Sequence, residues 1–582
     1  MNLASRALCA CLLVSTLSHA TPITLDGAFD DWTGLTPAAS DALGDDGNSG
    51  IDFDRVWFTN DARYVFMRFQ TGADVQGDEQ QSMRLYMDTD MNASTGTSYD
   101  GIGADLVWNF GERRGTFRGS TVYHDDLGML LGPTVSSTQF EIAFRLDAAP
   151  AGGNALFPGE QVRWILRDTA SNGDRIPNSG AQTSTIRQTV PDDPSIPLDR
   201  FANDHLRLVS FNVLQNGIFE GGSRQAAYDR ALNVIDSDIW VFNEVWDFDA
   251  DATRDRVAAL QPAGAGLTWD AVKRDSGNVI VSRYPIIDSW DVYPGSRLTA
   301  ARIDLDGFSD RDILVIAAHL SCCSADANRQ DQSDALIAFV RDARTPGGQI
   351  DLPEDTPIVA AGDFNLVGWS RQLETLLTGD IFDEGSFGPD SAPDWDGSGF
   401  ELPPSTHNDQ RVAYTWRNDG SSFLPGLLDF TFYTGSVVEL GNHYVFDTRT
   451  MTTARLNDAG LFASDSDLLS DHNPRILDLD LSVATDAPSL RTGLQLEATP
   501  NPFNPRTTFS FRLDARSDVE IVVYDAQGRR VRSLMNAPMG AGLHAITWDG
   551  TDDTGRAVSS GNYHVRAQAG GEVETRGVTL VK

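Results

Sequence analysis

Lysine is almost missing from this chain. Only Lys273 and Lys582 stand beside 43 arginines, within 582 residues of formal charge −38. A surface of that sign repels polyanions, which excludes a protein that coats nucleic acid by charge alone. It leaves room for an enzyme that meets phosphodiesters through a bound cation. Cysteine is as scarce. Cys9 and Cys11 fall near the N-terminus and Cys322 and Cys323 are adjacent, so no disulfide framework is expected. Long apolar runs are missing too. The stretch from Ala7 to Leu17 is too short to span a bilayer. With Arg6 before it and Ser18-His19-Ala20 after it, residues 1–20 read as a secretory signal peptide, and Cys11 as ordinary leader sequence. No later run reaches transmembrane length. The expected mature protein is exported and soluble, and its length calls for several cores.

Residues 21–185 hold short alternating runs, such as Tyr64-Val-Phe-Met-Arg-Phe69 and Phe140-Glu-Ile-Ala-Phe-Arg145, broken by Gly and Asp clusters. That pattern predicts an all-β sandwich. Leu25-Asp-Gly-Ala-Phe-Asp-Asp-Trp32 and Met87-Asp-Thr-Asp-Met-Asn92 give it a loose resemblance to sugar-binding modules of the DOMON and carbohydrate-binding kind, which implies a glycan as a partner. Asp88, Asp90 and Asn92 have the spacing that begins a calcium loop, but Ala93 and Tyr99 stand where an EF-hand needs its glycine and its last acid. Two readings stay open there: a Ca2+ site, or a turn rich in Asx residues.

Pro191, Pro194 and Pro197 mark 186–203 as an extended linker. Over 204–484 strand-like runs alternate with helical stretches, Ser223–Ile235 and Gln330–Arg344, as in α/β layering. A second linker is expected at 485–493, before an all-β segment, 494–582. Ala498-Thr-Pro-Asn-Pro-Phe-Asn-Pro505, Val519-Glu-Ile-Val-Val-Tyr-Asp-Ala-Gln-Gly528 and Ser560-Gly-Asn-Tyr563 make that segment resemble the Ig-like sorting domain of type IX secretion cargo, a relative of flagellar hook-cap modules. The resemblance implies the type IX machinery as a partner and a destination at the cell surface or beyond the outer membrane.

The chemistry lies in the middle. Five motifs follow one another: Leu206-Arg-Leu-Val-Ser-Phe-Asn-Val213, Asp238-Ile-Trp-Val-Phe-Asn-Glu-Val245, Ala317-Ala-His-Leu320, Gly362-Asp-Phe-Asn365 and Ser470-Asp-His-Asn-Pro474. Most end an apolar run on a carboxylate, carboxamide or imidazole, which a core does not need and a hard cation with a phosphate does. Together with Ser282-Arg-Tyr-Pro-Ile286 they make 204–484 resemble the endonuclease/exonuclease/phosphatase superfamily, which includes deoxyribonucleases, inositol-phosphate phosphatases and bacterial sphingomyelinases. The resemblance implies a four-layered α/β sandwich, two mixed sheets flanked by helices, and catalysis with Mg2+ or Mn2+. The whole chain is thus expected as a β-sandwich, that α/β sandwich, and an Ig-like β-sandwich.

The resemblance also assigns roles. It makes Glu244, Asn212 and Asp471 the metal residues, and His472 the base that activates water, with Asp429 of Leu427-Leu-Asp-Phe-Thr-Phe432 as its partner. Imidazole suits that task because it titrates near neutral pH. Asp363 and Asn365 orient the nucleophile and hold a phosphate oxygen, and His319 stabilises the phosphorane or protonates the leaving oxygen. In deoxyribonucleases this histidine has a glutamate partner, which the motifs here do not place. Lys273 and Arg274 read as a solvated pair. Cys322 and Cys323 allow a strained vicinal disulfide, and an ordinary loop is the plainer reading. The expected activity is a secreted phosphodiesterase acting on extracellular nucleic acid. Phospholipid cleavage is the alternative, with Phe400–Pro404 and Phe423–Leu428 as weak membrane-entering loops, and a non-catalytic surface adhesin is a third reading.

Overall fold

A computed structural model describes residues 23–44, 50–187, 194–264, 266–482 and most of 496–580. The expected leader, residues 1–20, and the expected linker at 485–493 lie outside the described residues. Two compact units are present, one ending at Val483 and one beginning at Ala484.

The first part of the larger unit is β-rich and antiparallel. One sheet has Phe53–Asn60, Tyr64–Val75 and Ser137–Arg145 at its centre; the other is built around Gln161–Asp168, Met83–Asp88 and Leu106–Asn109. Alternation along Tyr64–Val75 explains its burial on both faces. Met67 and Phe69 pack into the core shared with Leu85, Trp108 and Trp164 of the other sheet. Tyr64 and Phe66 pack outward onto Val412 and Tyr414 from the middle of the chain. Asp88, Asp90 and Asp105 do converge. Their charge is met by guanidinium groups: Arg163 pairs with Asp88, and Arg118 reaches both Asp105 and Asp90 at 3.0 Å. Asn92 closes the turn by donating its N–H to Asp88 Oδ1 (3.1 Å) and Asp90 Oδ1 (3.0 Å).

The middle of the chain carries two mixed sheets. The six-stranded sheet runs Asp270–Val272, Val279–Ser282, Ile239–Asn243, Leu206–Asn212, Arg475–Asp480, Glu439–Val445. The five-stranded sheet runs Ile286–Asp291, Leu298–Ile303, Ile313–His319, Ile358–Asp363, Asp429–Tyr433. Each sheet has one parallel pair, and each pair is linked through a helix, Gly222–Ile235 or Asp326–Arg344, as parallel strands require. Both helices begin before the residues expected from sequence. Apolar residues form one cluster between the sheets and one beneath each helical face. Residues 194–203, expected as an extended linker, lie against this core, with Ile196 N–H bonded to Asn408 O at 2.9 Å.

The smaller unit has a three-stranded and a four-stranded antiparallel sheet. Phe509 and Trp548 of the first pack with Val519, Ile521 and Val565 of the second.

One ion pair ties the six-stranded sheet to its surroundings. Arg207 grips Asp478 through two bonds of 2.7 and 2.9 Å, and also donates to Leu198 O and Ile235 O at 2.8 Å each. Both residues are buried, so removing one charge strands the other. Asp478→Asn should destabilise the larger unit by about 3–5 kcal/mol, read as a lowered first transition in a thermal or urea melt.

Candidate active site

Period-two alternation builds the site. Leu206, Leu208, Ile239, Val241, Val315, Ala317, Val359 and Ala361 all face the cluster between the sheets. Continuing the alternation to the end of each strand brings Asn212, Asn243, His319 and Asp363 onto the same inner face. The register sets Asn212 beside Asn243, His319 beside Asp363, and Asp363 beside Asp429. Apolar pairing thus gives way to polar residues at one edge of the inter-sheet space.

Four residues converge there. Asn212 Nδ2 lies 3.1 Å from Asp363 Oδ2, 3.2 Å from Glu244 Oε1 and 3.5 Å from His472 Nε2. On its far side, His472 Nδ1 meets Asp429 Oδ2 at 2.7 Å. His319 Nε2 stands 3.6 Å from Asp363 Oδ2, and its Nδ1 is buried without a hydrogen-bond partner. Glu244 is left-handed at φ 63°, the conformation that ends the strand, and its Oε2 accepts the Gln215 N–H at 2.8 Å. Asn365, also left-handed at φ 48°, spends one amide hydrogen on Leu320 O at 3.2 Å.

The edge is short of positive charge. Asn212 Nδ2 is the one side-chain amide between the carboxylates of Asp363 and Glu244. Burial pushes Asp363 up to about 7, with His472 pulling it down and Asp429 adding to the rise. Burial also opposes charge on His472, yet Asp429 and Asp363 outweigh it and hold the imidazole at about 10. His319 is driven well below its ordinary value by burial, then by Arg297 and His472. The Asp429 Oδ1 and Asp471 Oδ1 atoms are buried without partners. A carboxylate-rich, amide-containing set with unmet acceptors suits a hard divalent cation, and Asp363, Asp429 and His472 lie close enough together to share one.

The expected residues divide in three. Asn212, Glu244, His319, Asp363, Asp429 and His472 come together. Asn365 stands beside Asp363, whose Oδ1 accepts its N–H at 3.0 Å. Asp471 is held by the Trp416 indole at 3.0 Å and shares no hydrogen bond with Asn212 or Glu244 among the described residues. Lys273 is not solvated as expected: its ammonium donates to Val245 O at 2.6 Å and Phe248 O at 2.8 Å, under the turn that follows Glu244.

Other supporting residues went unassigned in the sequence. Asn243 accepts the Asp363 N–H at 3.1 Å and donates to Ala318 O at 3.0 Å, stitching the two sheets together. Its position inside the Asp238–Val245 motif was the available signal. Ser470 receives the His472 N–H at 3.0 Å and donates to Asn212 O at 2.8 Å. Thr415 Oγ1 accepts the Asp429 N–H at 2.9 Å, and buried Arg475 donates to Asp429 O at 3.0 Å. Neither belongs to a recognisable motif.

The profile of the endonuclease/exonuclease/phosphatase family matches residues 209–472. That span holds all of these side chains except Arg475, and the match supports a phosphoester hydrolase. A FlgD Ig-like domain profile matches residues 499–572. No curated protein matches the chain. Among solved structures, TDP2 of D. rerio complexed with a single-strand DNA product is 16% identical; the match covers 47% of this chain and 98% of that one, with a TM-score of 0.30. An endonuclease/exonuclease/phosphatase family protein from Leptotrichia buccalis is 15% identical over 47% and 99%, TM-score 0.29. Beta toxin from Staphylococcus aureus is 18% identical over 47% and 99%, TM-score 0.26.

The β-rich N-terminal part reaches this edge. The Thr134 hydroxyl lies 2.7 Å from Leu366 O and 3.3 Å from Leu427 O, sharing one hydrogen between the loop after Asp363 and the loop before Asp429. Ser136 N–H adds a bond of 2.6 Å to Gly368 O. Thr134→Val keeps the shape and removes the donor. It should cost about 1–3 kcal/mol of stability and lower turnover about tenfold through a small displacement of both loops, measured by melting and by initial rates.

Proposed function

We propose that this protein is an exported phosphodiesterase that uses a divalent cation, Mg2+ or Mn2+, and acts on nucleic acid. The observation that carries this reading is the convergence of Asn212, Glu244, Asp363 and the His472–Asp429 pair on one buried edge. The three apolar clusters support the four-layered sandwich that the family resemblance implies. Glu244 and Asn212 would hold the cation, which would supply the missing positive charge and polarise a phosphate oxygen.

The chain's own groups then have definite tasks. Asp429 accepts a hydrogen bond from His472 Nδ1 and so fixes the tautomer; a bound cation would offset the acids that keep the imidazole protonated, freeing Nε2 to take a proton from water for in-line attack on phosphorus. Asp363 and Asn365 hold that water and one phosphate oxygen. His319, neutral because of burial, can donate a hydrogen bond toward the leaving oxygen but carries no spare charge. The expected membrane loops lend the phospholipid alternative little support. Phe400 and Leu424 are buried, and the exposed Phe423 ring is capped by Arg113 at 4.1 Å. Export rests on the leader at 1–20, and passage over the outer membrane on the Ig-like domain that follows Ala484.

Purified protein should hydrolyse bis-p-nitrophenyl phosphate and DNA or RNA with Mg2+, and lose the activity to a chelator. His472→Ala should lower kcat by orders of magnitude with the melt unchanged, and Asp429→Asn by about 10³–10⁴ through loss of the correct tautomer. Hydrolysis indifferent to chelator would overturn the metal reading. Faster turnover of sphingomyelin vesicles than of nucleic acid would overturn the substrate assignment.

A further inference from the structure

The pair Cys322–Cys323 directly follows the strand that ends in His319 and serves no role in the reaction above. The two sulfurs lie 2.6 Å apart, both residues are exposed, and Cys323 is left-handed at φ 63°. After Cys9 and Cys11 of the leader, these are the only cysteines in the sequence, so each has only the other as a partner within the mature chain.

The geometry points to a reversible dithiol–disulfide site at Cys322 and Cys323 that adjusts the phosphate-facing side of the active site. The activity half of this inference rests on the function proposed above; the thiol chemistry does not. An oxidant of the small-disulfide class, RSSR, is consumed in two steps. The thiolate of one cysteine attacks a sulfur of RSSR and expels RS⁻. The neighbouring thiol then loses its proton, and its sulfur displaces the second RS⁻ to close the Cys322–Cys323 bond. Two thiols and one RSSR become one internal disulfide and two RSH. Neighbouring Cα atoms are about 3.8 Å apart, nearer than the roughly 4.4–6.8 Å of ordinary disulfides. The ring is therefore strained and easily reduced, which suits a labile switch rather than a staple.

The link to the active site is a set of carbonyls. Buried Arg329 donates to Ser321 O and Cys323 O at 2.8 Å each, and also to Val367 O in the loop that carries Asp363 and Asn365. Arg297 donates to His319 O at 3.0 Å and Leu320 O at 2.9 Å, and Leu320 O also receives Asn365. Closing the ring reorients the Cys322–Cys323 peptide. That moves Cys323 O, and through Arg329 it shifts the 363–367 loop.

The test uses the full chain, reduced and then treated with oxidised glutathione, with peptide mapping of the fragment containing Cys322 and Cys323. The expected product lacks two hydrogen atoms, carries no glutathione, and returns to the dithiol on reduction. Cys322→Ser should instead keep a glutathione adduct on Cys323. A persistent adduct on the unmutated pair, a linked dimer or unreacted thiols would overturn the site. Oxidised protein should turn over bis-p-nitrophenyl phosphate about tenfold more slowly than reduced protein, while Cys322→Ser, freed of its adduct by reduction, matches the reduced rate. Equal rates with the bond formed would overturn the coupling. An enzyme inactive in every state would overturn the proposed function and leave the mapped disulfide standing.

Discussion

Three acids and an imidazole at the end of a dry interface between two sheets set the terms for everything around them. The apolar residues between the sheets exclude water, so charge on Asp363 is poorly screened and must be answered by groups in contact with it. The available answers are the Asn212 amide, the Asn365 N–H and two histidines, of which only His472 holds a proton readily. The architecture is arranged to keep that imbalance in place. Asn243 ties Asp363 to the opposite sheet, and Thr415 and Arg475 fix the backbone of Asp429. Polar groups spent on holding a surplus of acid in a buried edge make sense when a cation completes the set.

The supports come from far along the chain, and this makes the larger unit more than two modules in a row. Val412 and Tyr414 lie in the apolar cluster of the first sheet, and Thr415, the next residue, anchors Asp429. Thr134 comes from the opposite direction and clamps two loops of the site at once. The N-terminal β-rich part thus shares a core with the segment that positions the aspartate, so its packing reports directly on the geometry of the edge.

The sequence showed the ends of strands well. His319 and Asp363 were legible because each ends an apolar run inside an ordered set of motifs. The His472–Asp429 pair was legible through family resemblance. What stayed hidden was support made through long-range hydrogen bonds. Thr134, Thr415 and Arg329 are common residue types, and nothing local marks which carbonyl or amide they will meet. Asp471 was marked by its motif, but the bond that holds its Oδ2, from the indole of Trp416, was not legible there. The covered outer face of the first sheet was equally invisible, since alternation says that a face is apolar and not what lies upon it.

Lys273 carries a further consequence. Nearly every positive charge in the chain is a guanidinium, yet the turn behind Glu244 holds an ammonium against the carbonyls of Val245, Phe248 and, at 3.4 Å, Trp246. Those three oxygens curl around a point, as a small coordination cage does around a monovalent ion. A compact tetrahedral head fits such a cage, whereas a flat fork wants acceptors spread along a line. The chain's preference for arginine yields here, where three backbone carbonyls gather around one point charge.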